Sequence, residues 1–152
     1  MHVEDTIAHL NRLIETCKNG ELGYAEASRL VEDTELQTIL EGYAKQRAGF
    51  VKALQAEVVK LGGEPAHSGT IGAAIHRGWM ELKAAATLRD GGAILAACET
   101  GEDSAWTHYK EVTNSDISGT SRALVDKQWG KVKEAIAHIQ HLRGEFADKK
   151  PD

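Results

Sequence analysis

The sequence predicts an all-α protein, a four-helix bundle in which one long crossover connects the second and third bundle helices. Three observations support this prediction. Apolar residues recur every three or four positions over long segments, proline occupies only 2 of 152 positions, and aromatic residues make up 5% of a chain in which alanine is frequent. This periodicity is that of a helix face packed on a core, and the composition favours helices over β-sandwiches.

The first two helices are predicted from their apolar stripes and from the signals between them. One runs from about Val3 to Val31. After a short break at Glu32 to Thr34, with Asp33 or Thr34 as the cap, the second continues to about Leu61. Glycine after Leu61, followed by Pro65, ends the second helix. A break this short between two long helices predicts an antiparallel hairpin.

Three further helices complete the chain. The third runs from Thr70 to about Leu88, the fourth from about Ala93 to Asn114 with Asp90 as its cap, and the last from about Ser121 to Phe146. The third is long enough to carry the chain from one end of the bundle to the other, so the second and fourth should run parallel. We expect one domain over residues 1–148 and a disordered charged tail at 149–152.

Polar residues interrupt the apolar stripes at mid-length. Glu21, Arg47 and Glu102 lie at similar depths along three helices. Because buried charges persist only when they are paired, we predict a mid-bundle polar layer. Its expected members are Glu21, Tyr24, Tyr43, Arg47, Glu102 and Gln128. Two alternatives stay open, in which Glu21 rolls towards solvent and Arg47 extends its charged head into water.

Composition restricts the partners and the compartment. The formal net charge is −5 and the basic residues form no stripe, so nucleic acid is not an expected partner. Cys17 and Cys98 fall on inward faces and form neither a metal knuckle nor a CxxC pair. Residues 1–10 lack the apolar core of a signal peptide, and no apolar run reaches transmembrane length. We therefore expect a cytoplasmic protein with no membrane partner.

Several segments together resemble an uncharacterised bacterial family of four-helix bundles within the ferritin-like superfamily. They are NGELGYAEA at 19–27, AKQRAGF at 44–50, LGGEPAHSGTIGAAIHRGW at 61–79, CETGED at 98–103, and VDKQWGKVKEA at 125–135 with His138 and Leu142-Arg143 after it. The resemblance covers nearly the whole chain. It implies the ferritin-like topology with an additional helix in the crossover, and it brings no established activity.

The metal chemistry of that superfamily needs carboxylates from two helices and a Glu-x-x-His pair from each of the other two. The helices predicted here contain no such pair. A rearranged di-iron or di-manganese site remains conceivable as the alternative interpretation. Its candidate ligands are Glu21, Glu99, Glu102, Glu134 and His138. Arg47 argues against such a site, because a guanidinium would repel the cations and could itself neutralise the carboxylates.

His76-Arg77-Gly78-Trp79 on the crossover helix is a second candidate site. A histidine and an arginine beside an indole could bind an anionic small molecule, but the favoured interpretation is that Trp79 packs the crossover onto the bundle. No arrangement indicates nucleophilic catalysis. Our main hypothesis is a homo-oligomeric or partner-binding bundle without a cofactor and without enzymatic activity. The alternatives are a di-metal protein in iron handling or oxidative stress, and a small-molecule binder.

Overall fold

The computed structural model describes residues 1–67, 78–88 and 90–149. Six helices, and no strand, occur in these ranges. They are α1 (Val3–Leu30), α2 (Thr34–Lys60), α3 (Glu81–Leu88), α4 (Gly91–Gly101), α5 (Asp103–Thr113) and α6 (Gly119–Lys149). In this part of the chain, none of the helices combines the length and apolar character that a membrane span requires.

Two apolar clusters show how the helices run. One cluster joins the end of α1 and the start of α2 to α3, α4 and the end of α6. The other joins the start of α1 and the end of α2 to α5 and the start of α6. Hence α1 and α6 run in one direction, α2 and α4–α5 run in the other, and the chain crosses the length of the bundle after α2. The predicted bundle and its crossover are confirmed.

The helix ends follow the predicted capping chemistry. Asp33 caps α2, because its carboxylate accepts a hydrogen bond of 2.9 Å from the backbone N–H of Leu36. Gly62 follows the end of α2 with a φ of +87°, a conformation that favours glycine. Helix α6 extends to Lys149, beyond the predicted end at Phe146. The segment 70–77 of the predicted crossover helix and the tail at 150–152 lie outside the described residues.

The prediction of one continuous helix from Ala93 to Asn114 is wrong. The chain bends at Glu102, where ψ is −10°, so that α4 ends at Gly101 and α5 begins at Asp103. The backbone N–H of Glu102 still bonds to the carbonyl of Cys98, so the bend is shallow. Gly101, the residue just before the bend, is where the indole of Trp79 packs against the backbone of this helix.

Trp79 is a wedge between two bundle helices. A Cβ atom added to Gly23 of α1 or to Gly101 of α4 would lie 2.3 Å or 2.4 Å from the indole ring. The indole is almost completely buried and meets the ring of Tyr24 edge-on, with centroids 5.0 Å apart. The close packing at Gly23 and Gly101 is therefore made by the indole, and it fixes the crossover against the bundle.

We predict that Gly101→Ala destabilises the protein by about 1–3 kcal/mol, because the new methyl group would overlap the indole of Trp79. Urea denaturation measures this change in the free energy of unfolding. The control is Gly49→Ala on α2, where nothing lies within 4 Å of the added Cβ. That variant should gain about 0.5–1 kcal/mol through helix propensity. Equal effects of the two substitutions would contradict the wedge.

Candidate functional site

The centre of the bundle holds a buried ion pair between Arg47 of α2 and Glu102. The two terminal nitrogens of the Arg47 guanidinium, Nη1 and Nη2, each donate a hydrogen bond of 2.5 Å to a different carboxylate oxygen of Glu102. The two side chains are only 1% and 2% exposed. Both charges are withdrawn from water, so each requires the other. Arg47 thus does not extend its head into solvent.

Two residues of the neighbouring helix α1, Gly20 and Tyr24, lie against the Arg47 guanidinium. A Cβ atom at Gly20 would lie 3.2 Å from Nη1 of Arg47, so the absence of a side chain there leaves room for the guanidinium. The Arg47 Cζ atom lies 5.5 Å from the centroid of the Tyr24 ring, within the range of a cation–π contact. The Tyr24 hydroxyl is buried and has no hydrogen-bond partner among the described residues.

The electrostatics of the site favour the charged pair. Burial disfavours the charge of Arg47, but the charge and hydrogen bonds of Glu102 outweigh burial and hold the pKa of Arg47 above its ordinary value. Burial raises the pKa of Tyr24 well above its ordinary value, and the Glu102 charge adds to that shift. Burial also raises the pKa of the Cys98 thiol. The ion pair is therefore set among neutral groups.

The prediction that Glu21 belongs to this polar group is wrong. Its carboxylate instead pairs with Lys18, one turn away on α1, at 3.0 Å, and both side chains are partly exposed. A long helical stripe drifts relative to the bundle axis, so a position at its edge can turn towards solvent. Glu102 therefore pairs with Arg47 alone, and Glu21 is not part of the buried polar group.

Tyr43 also bonds elsewhere. Its hydroxyl lies 2.5 Å from Nδ1 of His138 on α6, and both residues are half-buried. The Tyr43 ring packs against that of Tyr24, with centroids 5.5 Å apart. Tyr43 thus links α2 to α6 beside the ion pair, although it makes no hydrogen bond to Arg47 or Glu102.

Gln128 belongs to a second buried polar group, a hydrogen-bonded chain that links all four bundle helices. The Tyr109 hydroxyl of α5 donates to Oε1 of Gln128 at 2.7 Å, and Nε2 of Gln128 donates to the Phe50 carbonyl of α2 at 3.4 Å. Cys17 of α1 lies 3.0 Å from the same hydroxyl. A phenol has one hydrogen, which Gln128 receives, so the Cys17 thiol must be the donor to Tyr109. Burial raises the pKa of Cys17 to about 11, which keeps the thiol protonated.

Sequence analysis missed Tyr109 as a polar member of the site. The signal was available, because Tyr109 lies seven residues after Glu102 and therefore two turns along the same helix face. A tyrosine at this spacing also fits an apolar helix face, so periodicity alone does not reveal the role of its hydroxyl. A buried tyrosine hydroxyl usually requires a partner, and this requirement would have pointed to Gln128 and Cys17.

The candidate metal ligands do not converge. Besides Glu21 and Glu102, the other three candidates each bond to a different partner. Glu99 accepts a hydrogen bond from Arg143 at 2.6 Å, and Glu134 accepts one from Lys131 at 3.4 Å. His138 bonds to Tyr43. Within the described ranges, no group of three or more His, Cys, Asp or Glu side chains could hold a metal ion. Glu64 and His67 have the Glu-x-x-His spacing, but they lie in the loop after α2. The described residues therefore do not fit a di-metal centre.

A groove of about 360 Å³ between α4–α5 and α6 reaches the ion pair from the surface. Glu102 is among the residues that line it, together with Asp103, Trp106 and Lys133. In the second candidate site, Trp79 packs the crossover onto the bundle, whereas His76 and Arg77 lie outside the described residues.

The directions of the helices and the crossover after α2 define a ferritin-like helical bundle. Residues 5–116 match the family described as a domain of unknown function (DUF2383), and the chain belongs to that family. The resemblance predicted from the sequence motifs is thereby confirmed. No curated protein has a significant match to the chain.

Solved structures support the same class. The chain is similar to the bacterioferritin-related protein from Bacteroides fragilis, described as a dodecameric thioferritin, with a TM-score of 0.76 and 14% sequence identity. The similarity covers 97% of this chain and 89% of that protein. At this identity the likeness shows the fold alone, which agrees with the helix directions described above.

We predict that Arg47→Met lowers the free energy of unfolding by roughly 3–5 kcal/mol, because it leaves the Glu102 carboxylate buried without a partner. The double variant Arg47→Met/Glu102→Leu should recover most of this loss, since neither charge remains. Chemical denaturation measures both effects.

The matched control is Arg29→Met, because Arg29 also makes a bidentate ion pair, with Glu26, on the surface of α1. Its side chain is 71% exposed. Loss of a solvated pair should cost less than about 1 kcal/mol. A similarly small loss for Arg47→Met would show that the mid-bundle charge is solvated.

Proposed function

We propose that the protein is a metal-free ferritin-like bundle in which the Arg47–Glu102 ion pair takes the place of a metal centre, and that it works through assembly with copies of itself. The observation that carries the proposal is the position of the ion pair. Arg47 lies between Ala44 and Val51, which belong to the two different apolar clusters, and it is therefore at mid-bundle.

The chemistry of the donor set supports the metal-free part of the proposal. Both carboxylate oxygens of Glu102 accept hydrogen bonds from the guanidinium, so metal binding would have to break both bonds. The displaced Arg47 charge would then remain buried beside the incoming cation, at a large electrostatic cost. The ion pair already compensates the carboxylate, and a metal ion is not needed for that purpose.

Two observations support assembly. The structurally similar protein from Bacteroides fragilis is described as dodecameric. In addition, Trp106 is 43% exposed on α5 and packs edge-on against Trp129 of α6, with centroids 5.0 Å apart. Exposed tryptophan is enriched at protein–protein interfaces. We therefore propose that the Trp106 surface contacts a second copy. A cytoplasmic location is part of the proposal, because both cysteines are free and buried.

The alternative function is a carboxylate-bridged iron or manganese protein in iron handling or oxidative stress. The description of the Bacteroides fragilis protein as a thioferritin favours it. In this alternative Arg47 would have to leave Glu102 and free its carboxylate for metal. The two functions therefore differ in metal content and in what Arg47 contributes.

We predict that the protein, purified without chelator and without a metal-affinity tag, contains less than about a tenth of an iron or manganese ion per chain. The reason is that the Arg47 guanidinium already binds both carboxylate oxygens of Glu102. Elemental analysis by mass spectrometry measures this content. The parallel sample is Glu102→Ala. About two ions per chain, lost in Glu102→Ala, would establish the di-metal alternative.

We predict that Trp106→Glu reduces the assembled species, because a buried unpaired carboxylate at an interface costs several kcal/mol. Native mass spectrometry and light scattering measure the assembly state of the full chain. The control is Thr107→Glu, at the adjacent exposed position of α5. A monomeric wild-type protein, or equal assembly of the two variants, would contradict the proposed contact.

A further inference from the structure

Tyr43 and His138 form a hydrogen-bonded pair that the proposed function does not use. The Tyr43 hydroxyl and His138 Nδ1 are 2.5 Å apart, and their rings meet edge-on with centroids 5.8 Å apart. When the imidazole carries its proton on Nε2, Nδ1 is a base that accepts from the phenol. Burial raises the pKa of Tyr43, so the hydroxyl is protonated at neutral pH.

Tyr43 differs in this respect from the other two tyrosines of the chain. The Tyr24 hydroxyl has no partner of acceptable geometry in the described part of the chain, and the nearby Glu102 carboxylate is held by Arg47. The Tyr109 hydroxyl donates to the neutral amide of Gln128, which is a poor base. Tyr43 therefore has a ring nitrogen ready to take its proton, and neither of the others does.

This difference matters for one-electron oxidation. A phenol that loses an electron becomes a strong acid, and a half-buried site disfavours the resulting positive charge. A base already in hydrogen-bond contact removes that cost, because the proton leaves as the electron does. The Tyr43 ring also packs against the Tyr24 ring, with centroids 5.5 Å apart, and the Tyr24 ring packs against the Trp79 indole, with centroids 5.0 Å apart. The pair thus lies at the outer end of a row of aromatic rings that leads into the core.

We propose that Tyr43 and His138 form a proton-coupled one-electron oxidation site whose co-reactant is a one-electron oxidant in solvent, such as a peroxyl radical. Tyr43 loses one electron to the oxidant, which is reduced by one electron. The phenolic O–H bond breaks and a new N–H bond forms at Nδ1 of His138. The products are a neutral Tyr43 phenoxyl radical, a His138 imidazolium and the reduced oxidant. This activity does not depend on the metal content or on assembly.

The experiment uses the full chain and tris(bipyridyl)ruthenium(III), generated by a laser flash with persulfate, as the oxidant. Transient absorption follows the tyrosyl radical, and electron paramagnetic resonance of freeze-quenched samples identifies it. The variants are Tyr43→Phe and His138→Gln. The matched control is His108→Gln, because His108 is a half-buried histidine bonded to Thr16 and not to a tyrosine. Thermal unfolding establishes that each variant is folded.

The tyrosyl radical should form in the wild-type protein, disappear in Tyr43→Phe, and form about 100-fold more slowly in His138→Gln, because a positioned base typically contributes this much. His108→Gln should leave the rate unchanged. The wild-type rate should fall in D₂O, a readout that needs no variant. A tyrosyl signal that persists in Tyr43→Phe, an unchanged rate in His138→Gln, or equal rates in H₂O and D₂O would overturn the proposal.

Discussion

The rest of the structure depends on the burial of one ion pair. Removing a guanidinium and a carboxylate from water costs several kcal/mol for each ion. Their attraction offsets this cost only when the geometry is good and few hydrogen-bonding groups are left without partners. Arg47 and Glu102 meet this condition through two parallel hydrogen bonds. Gly20 makes room for the guanidinium, and the Tyr24 ring covers it. The sequence of α1 near the pair is therefore explained by a charge that α2 carries.

The crossover takes part in the same arrangement through Trp79. Its indole lies against Gly23 and Gly101, and each of these glycines directly precedes a residue that contacts Arg47, namely Tyr24 or Glu102. The wedge therefore sets the separation of α1 and α4 at the level of the ion pair. It also lies where the chain bends between α4 and α5. A segment that belongs to neither helix thus fixes the geometry of the buried charges.

Sequence reasoning succeeded where one local rule decided the outcome. Helix periodicity and the Asp33 cap predicted the bundle, and equal depth along the helices brought Arg47 and Glu102 together. It failed for Glu21, because the stripe does not distinguish a buried edge position from one that can reach Lys18. The bend at Glu102 was not predicted either; it directly follows Gly101, which packs against Trp79, and the sequence spacing does not reveal that contact.

A di-metal centre would join four helices at one point, and here that task is divided. The ion pair joins only α2 to the junction of α4 and α5. The chain from Cys17 through Tyr109 and Gln128 to the Phe50 carbonyl joins α1, α5, α6 and α2. In this series of hydrogen bonds, each donor is paired with a single acceptor on another helix. If the helices slid past one another, a buried polar group would lose its partner. Directional hydrogen bonds can therefore supply the register that metal coordination would otherwise impose on a core of small apolar side chains.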